Sequence, residues 1–213
     1  MKEKYLSETY YLDFSHPNIQ EIIKSIDHDN ENQMSVLTNV FLKVREEWKY
    51  NPYHINLNQQ SFKASQIAQL DQGHCIDKST LLIACLRALG IPARIHLAKV
   101  KNHIAVEKLV EKFGTNELTP HGYVGVFINE KWMKISPAFN QSLCDKFNVE
   151  VLGVNENEDA IFQQYNNDGN QFMEYLEDYG HFDDIPFNFI INNLNQNYPT
   201  LTEIVNEHNI LKF

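Results

Sequence analysis

From Ile76 to Leu89 the chain is apolar nearly all the way round a helix: Ile76, Leu81, Leu82, Ile83, Ala84, Leu86 and Leu89 fall on every side of it. A helix of that kind has to be wrapped by other elements, so it predicts a fold organised around one buried helix. Its limits are written in the sequence. Gly73-His74-Cys75 leads into it, Gly90 ends it, and Pro92 prevents it from resuming.

Flanking patterns supply the wrapping. Ala93 to Val100 alternates as a strand does, with Ile95, Leu97 and Val100 on one face. Residues 103 to 120 read as a mixed, partly helical connection. His121 to Ile128, a turn at Asn129-Glu130, and Trp132 to Ile135 predict a β-hairpin, although Asn-Glu is weaker turn chemistry than Asn-Gly. Upstream, Pro17 suits a first helical turn, and Ile19, Ile22, Ile23 and Ile26 follow helical spacing. After a polar break over Asp27 to Gln33, the residues Val36, Leu37, Val40, Phe41, Val44 and Trp48 form a second amphipathic stripe. Ser65 to Leu70 predicts a short helix. Beyond Pro137 the texture becomes rich in Asn and Asp around 155–170, and Pro186 to Leu194 and Leu201 to Leu211 read as closing helices.

The chain has 213 residues, 43% of them hydrophobic, enough for one substantial core. Its net charge of −10 and the lack of any long Lys/Arg cluster argue against nucleic acid as a partner. No run approaches the ~20 apolar residues of a membrane span, and the polar start at Met1-Lys2-Glu3-Lys4-Tyr5 does not read as a signal peptide. Cys75, Cys85 and Cys144 are too few and too scattered for a disulfide framework. Cys75 and Cys85 sit roughly 15 Å apart on one helix at ~1.5 Å per residue, so they cannot bridge. A reduced, cytoplasmic, soluble protein without a membrane partner is expected, with no reading of oligomeric state.

Chemistry concentrates at Cys75. A cysteine at a helix N-terminus feels the positive end of the helix dipole, which favours thiolate. His121, opening a strand, could complete the ion pair that turns such a thiol into a nucleophile. Cys85 and Cys144 read as structural. His74, His96 and His103 match no usual Cys/His spacing, so neither a metal nor another cofactor is expected. Asn102-His103 follows the strand leaving the central helix and could reach a cleft rim.

Three segments, in this order, resemble the transglutaminase-like superfamily, a branch of the papain-like cysteine enzymes. They are Gly73-His74-Cys75-Ile76-Asp77-Lys78, then Leu89-Gly90-Ile91-Pro92-Ala93-Arg94, then the run from His121-Gly122-Tyr123-Val124 to Trp132-Met133-Lys134-Ile135-Ser136-Pro137. The resemblance covers roughly residues 40 to 140; Pro137-Ala138-Phe139-Asn140 and Met173-Glu174-Tyr175-Leu176 look like an uncharacterised bacterial subgroup. It implies Cys75 as nucleophile and His121 as base. It also implies an aspartate fifteen residues after the histidine, where this chain has Ser136. A serine can accept a hydrogen bond from imidazole but carries no charge to stabilise imidazolium. Asn140 is the other candidate for orienting the ring. The oxyanion hole would use the Cys75 N–H with Gln69, or else Gln72, as side-chain donor; Asn102 is a further weak candidate near the substrate.

The fold that follows is α+β: a papain/transglutaminase-like core with the nucleophile helix packed on a small antiparallel sheet, extra helices at both ends, and a single domain over 1–213. The function that follows is hydrolysis of an amide or peptide bond through an acyl-enzyme, with a peptide, protein or small amide as substrate. An amine acceptor would make it an acyltransferase or transglutaminase. Ser136 favours a different class, a binding or scaffold module that keeps the cleft and has lost the acid.

Overall fold

The central helix is buried along its length: in α4 (Cys75–Ala88) every residue from Cys75 to Arg87 is shielded from water. The computed structural model describes residues 2–27, 32–53, 55–104, 107–156, 158–199 and 210–211. Helices α1 (Pro17–Lys24), α2 (Gln33–Glu47) and α3 (Ala64–Ile67) pack on α4, and the sheet packs on it as well. Pro17 opens α1, where its missing N–H costs nothing. Ile19, Ile22 and Ile23 of α1 and Val36, Leu37, Val40, Phe41 and Val44 of α2 turn inward at helical spacing. The helix α4 stops where Gly90 adopts φ +74°, a left-handed conformation natural to glycine.

The four-stranded sheet is antiparallel throughout, in the order β6 (Lys131–Ile135), β5 (Glu117–Ile128), β4 (Ala93–Asn102), β7 (Met173–Phe182). Strand β4 (Ala93–Asn102) pairs with β5 (Glu117–Ile128), and β5 returns through the expected hairpin to β6 (Lys131–Ile135). Asn129 and Glu130 in that turn have φ of 49° and 62°. Two successive left-handed residues suit the twist of a two-residue hairpin.

Two parts differ from the sequence expectation. The fourth strand, β7 (Met173–Phe182), was not foreseen; it covers the outer edge of β4. Of the helix expected over 201–211, residues 201–209 lie outside the described residues, and Ile210–Leu211 form a short strand, β8, against β2 (Ile55–Asn56). The polar break over 27–33 lies mostly outside them too. A further parallel pair joins β1 (Lys49–Tyr50) to β3 (Gln72–Gly73). Helices α5 (Glu107–Phe113), α6 (Gln141–Phe147) and α7 (Phe187–Asn197) complete the set, α7 confirming the expected helix after Pro186.

The main core lies between α4, the N-terminal helices and the sheet. A smaller one gathers Ala98, Val100, Tyr123, Cys144, Val149, Phe172 and Met173. No described helix is long and apolar enough to cross a membrane.

Candidate active site

Cys75 is the first residue of α4, and the turn that carries it is fixed from three directions. His74 caps the helix: its Nδ1 accepts the N–H groups of Ile76 (3.2 Å) and Asp77 (3.3 Å), while Asp77 Oδ2 accepts the N–H of His74 (3.1 Å). This reciprocal box satisfies orphan donors of the first turn, with an imidazole standing where Ser or Thr is usual. Just upstream, Gly73 is held by the β1–β3 pairing, with the Asn51 N–H on its carbonyl at 3.1 Å. From the third side, β5 presses against the helix at Gly122. A Cβ there would lie 2.9 Å from Ile76 Cγ1 and 3.1 Å from Ile76 Cα, so the approach needs glycine.

That approach brings the Gly122 N–H onto Cys75 Sγ, at 3.4 Å. The residue beside the sulfur's donor is His121, buried to 2% exposure. Through Gly122, the backbone next to His121 meets the start of α4, where Cys75 stands. Burial shifts both groups away from the charged forms of the expected ion pair. Burial pushes the Cys75 thiol up to about 11; the N–H groups of Gly122, Ile76 and Cys75 itself pull it down, and Asp77 adds to the rise. Burial alone draws the His121 imidazole down to about 4. Both shifts favour the uncharged forms, a neutral thiol and a neutral imidazole, because burial penalises charge.

Among the described residues neither ring nitrogen of His121 has a hydrogen-bond partner, so the orienting bond expected from Ser136 or Asn140 is not made. Ser136 is buried, and its Oγ accepts the Ala138 N–H at 3.4 Å. The β5–β6 register pairs Val124 with Ile135. Continued by one residue it sets Ser136 across from Tyr123, diagonal to His121 on the same face. Diagonal neighbours are roughly 7–8 Å apart and need a long side chain to meet; a serine is too short. Asn140 serves another element: its Oδ1 accepts the Tyr50 N–H at 3.2 Å and its Nδ2 donates to Ser142 Oγ at 2.7 Å.

The other candidates separate from the thiol. Gln69 is exposed and donates to its own helix at Ser65 O, 3.2 Å away. Gln72 accepts from Asn51 Nδ2 at 3.0 Å. Neither lines the pocket at Cys75. Asn102 accepts the Ile104 N–H and lines a neighbouring groove with Glu107 and Lys146. Arg94 lies over the Trp132 ring, 3.8 Å from its centroid. Tyr123 stacks on His96 and shares a 2.6 Å hydroxyl contact with Tyr175. Both aromatics lie outside the Cys75 pocket. Cys85 and Cys144 are buried free thiols. Among the described residues no three His, Cys, Asp or Glu side chains gather as a metal would require.

One residue escaped the sequence reading. Lys78, three positions along α4 from Cys75, is fully buried, and its Nζ donates to Arg45 O and Ala138 O, both at 2.8 Å. It ties the end of α2 and the segment just after Ser136 to the nucleophile helix, and burial lowers its ammonium to about 7. A lysine inside an otherwise apolar helical run is the signal that could have found it.

The thiol opens on a pocket. Tyr50, Tyr198, His74 and Thr119 line it together with Leu109 of α5 and Pro52.

No curated protein matches the chain. Among solved structures, one described as a "Putative Cysteine Protease from Cytophaga hutchinsonii" aligns with a TM-score of 0.48 at 15% identity, covering 81% of this chain and 62% of that one. The chain thus spans less than two thirds of that protein's length. The model of the Transglutaminase-like superfamily matches residues 20–137, which takes in the capped nucleophile helix, β4 and the His121 hairpin. By that match, over more than half of its length, the chain belongs to the transglutaminase-like superfamily.

Proposed function

We propose that the protein is a cysteine-dependent hydrolase of amide or peptide bonds, with Cys75 as nucleophile and His121 as base. The observation that carries this reading is the N–H cluster at the sulfur: Gly122 donates to Sγ at 3.4 Å from the residue next to His121. The first turn of α4 adds its own N–H groups. A thiolate formed there is stabilised at the moment it forms.

The reaction runs in two halves. The Cys75 thiol proton passes to His121 as Sγ bonds to the substrate carbonyl carbon, and the Cys75 N–H meets the developing oxyanion. The C–N bond breaks and the amine leaves with the proton held by the imidazole. Water then attacks the thioester, giving a proton to His121; the S–C bond breaks, the acid departs, and the proton returns to sulfur. An amine in place of water gives acyl transfer instead. A bare imidazole and Ser136 in the acid's place support the second reading, a binding module that keeps the cleft.

The test is labelling of Cys75 by iodoacetamide across pH 5–9, followed by intact mass, in wild type, His121→Ala and Cys75→Ala. The hydrolase reading expects labelling in wild type that falls about tenfold or more in His121→Ala at pH 7. Equal rates in wild type and His121→Ala refute it and leave the binding module.

A further inference from the structure

We infer that the pocket beside Cys75 is an acyl-side specificity site that accepts an uncharged, apolar group and rejects a charged one. This rests on the hydrolase reading and adds the class of substrate.

The argument comes from what the wall contains. Ile55, Phe62, Leu109, Leu118, Ile190 and Leu194 supply most of it, drawn from β2, the segment before α3, α5, β5 and α7. Among the described lining residues there is no Asp, Glu, Lys or Arg. The polar atoms that do face it are largely committed elsewhere. Tyr198 Oη donates to Glu117 O at 2.7 Å and accepts the Thr119 N–H at 3.0 Å. Thr119 Oγ1 bonds Asn193 Oδ1 at 2.8 Å and meets Tyr179 Oη at 2.9 Å. His74 Nδ1 is held by two helix N–H groups. A charged group entering this space would leave water and find no oppositely charged partner among the described lining residues. An alkyl or aromatic group would exchange water for carbon. The neighbouring groove, beyond the partition of Tyr50, Pro52, Leu109 and Leu118, does carry charge at Glu107 and Lys146, but it does not reach the thiol.

The experiment has two arms. In the first, p-nitrophenyl esters of butanoic, hexanoic and octanoic acids are compared with the monosuccinyl and 6-aminohexanoyl esters, each rate divided by that with free cysteine. Acylation is read as the nitrophenolate burst and the mass added at Cys75. In that step the S–C bond forms, the aryl C–O bond breaks, and the thiol proton ends in solvent. The expected result is a gain of about fourfold per added methylene, the transfer value of one buried CH₂ expressed as a rate. The charged esters should fall at least about tenfold below hexanoyl. Ile55→Lys, which places an ammonium on the wall, should flatten the methylene series and raise the succinyl ester. In the second arm, Cys75→Ala is titrated with hexanamide, octanamide and succinamate, and the shift in melting temperature is recorded; octanamide should stabilise most and succinamate not at all.

The outcomes separate the two claims. Acylation by charged and apolar esters at equal rates overturns the pocket assignment while the nucleophile stands. Apolar amides binding to Cys75→Ala without acylation of the wild type uphold the pocket and overturn the hydrolase. No chain-length dependence in either arm overturns the pocket assignment outright.

Discussion

Gly122→Ala is the most direct probe of how the site is held. The new Cβ would sit 2.9 Å from Ile76 Cγ1 and 3.1 Å from Ile76 Cα, against the 3.4–4 Å of ordinary contact. The side-chain carbon can turn away, but the Cα belongs to the first turn of α4 and cannot. Strand β5 must therefore lift by a few tenths of an ångström. Overpacking of this size costs about 2 kcal/mol, which for a chain of this length lowers Tm by about 4–8 °C. The same lift stretches the Gly122 N–H to Sγ contact, already 3.4 Å, toward the limit of a sulfur hydrogen bond. Losing about 1 kcal/mol of thiolate stabilisation raises a thiol that burial already holds near 11. Iodoacetamide labelling at pH 8 should then slow about fivefold. The assay pairs a melting curve with the labelling rate, using Gly153→Ala as control because nothing lies within 4 Å of a Cβ there. If Gly122→Ala melts and labels as the wild type does, the close approach of β5 is not what shapes the site.

Other perturbations have defined signs. Ser136→Asp places a carboxylate diagonal to the His121 ring, raising the imidazole from about 4 and speeding Cys75 labelling at pH 7 about tenfold or more; a Ser136→Asn variant that does equally well would show that charge is not the agent. Lys78 is protonated more readily unfolded than folded, where burial holds it near 7. Stability should therefore rise with pH between about 7 and the ordinary lysine value of 10.5, by up to about 1.4 kcal/mol per pH unit. Denaturant melts of wild type and Lys78→Met should show that slope only in the wild type. His74→Ala removes the cap on α4 and should cost about 1 kcal/mol by denaturant melt, most of it recovered in His74→Asn.

Much of the site's frame was legible in the sequence because each part has a local cause. The limits of α4 follow from Gly90 and Pro92, and the β5–β6 hairpin from alternation up to Asn129-Glu130. What escaped depends on tertiary partners. Strand β7 carries Glu174, Glu177 and Asp178 and buries only Met173 fully. Without an inward face its sequence has no period to read, and only the edge of β4 makes it a strand. The charges suit an edge, where they discourage pairing with another chain. Gln69 pointed to the oxyanion position by spacing, yet a short helix turns it to solvent. Asn140 lay close enough in sequence to serve His121, but β1 offers it the Tyr50 N–H first. Burial, which no spacing reveals, weighs against the expected ion pair: it favours the uncharged form of both the thiol and the imidazole.

The superfamily match ends at residue 137, but the sheet does not. Its fourth strand comes from residues 173–182 and occupies the far side of β4 from Ile95 to Asn102. A fragment trimmed to the matched region would carry the nucleophile and the histidine yet leave that row of N–H and C=O groups bare. Such an edge is a template for joining other copies, and Ala98 and Val100, now wholly covered, would lie beside it. Trimmed versions should therefore precipitate or assemble rather than remain single. The segment beyond the family boundary acts as an edge guard, and recombinant pieces of this chain need to keep it.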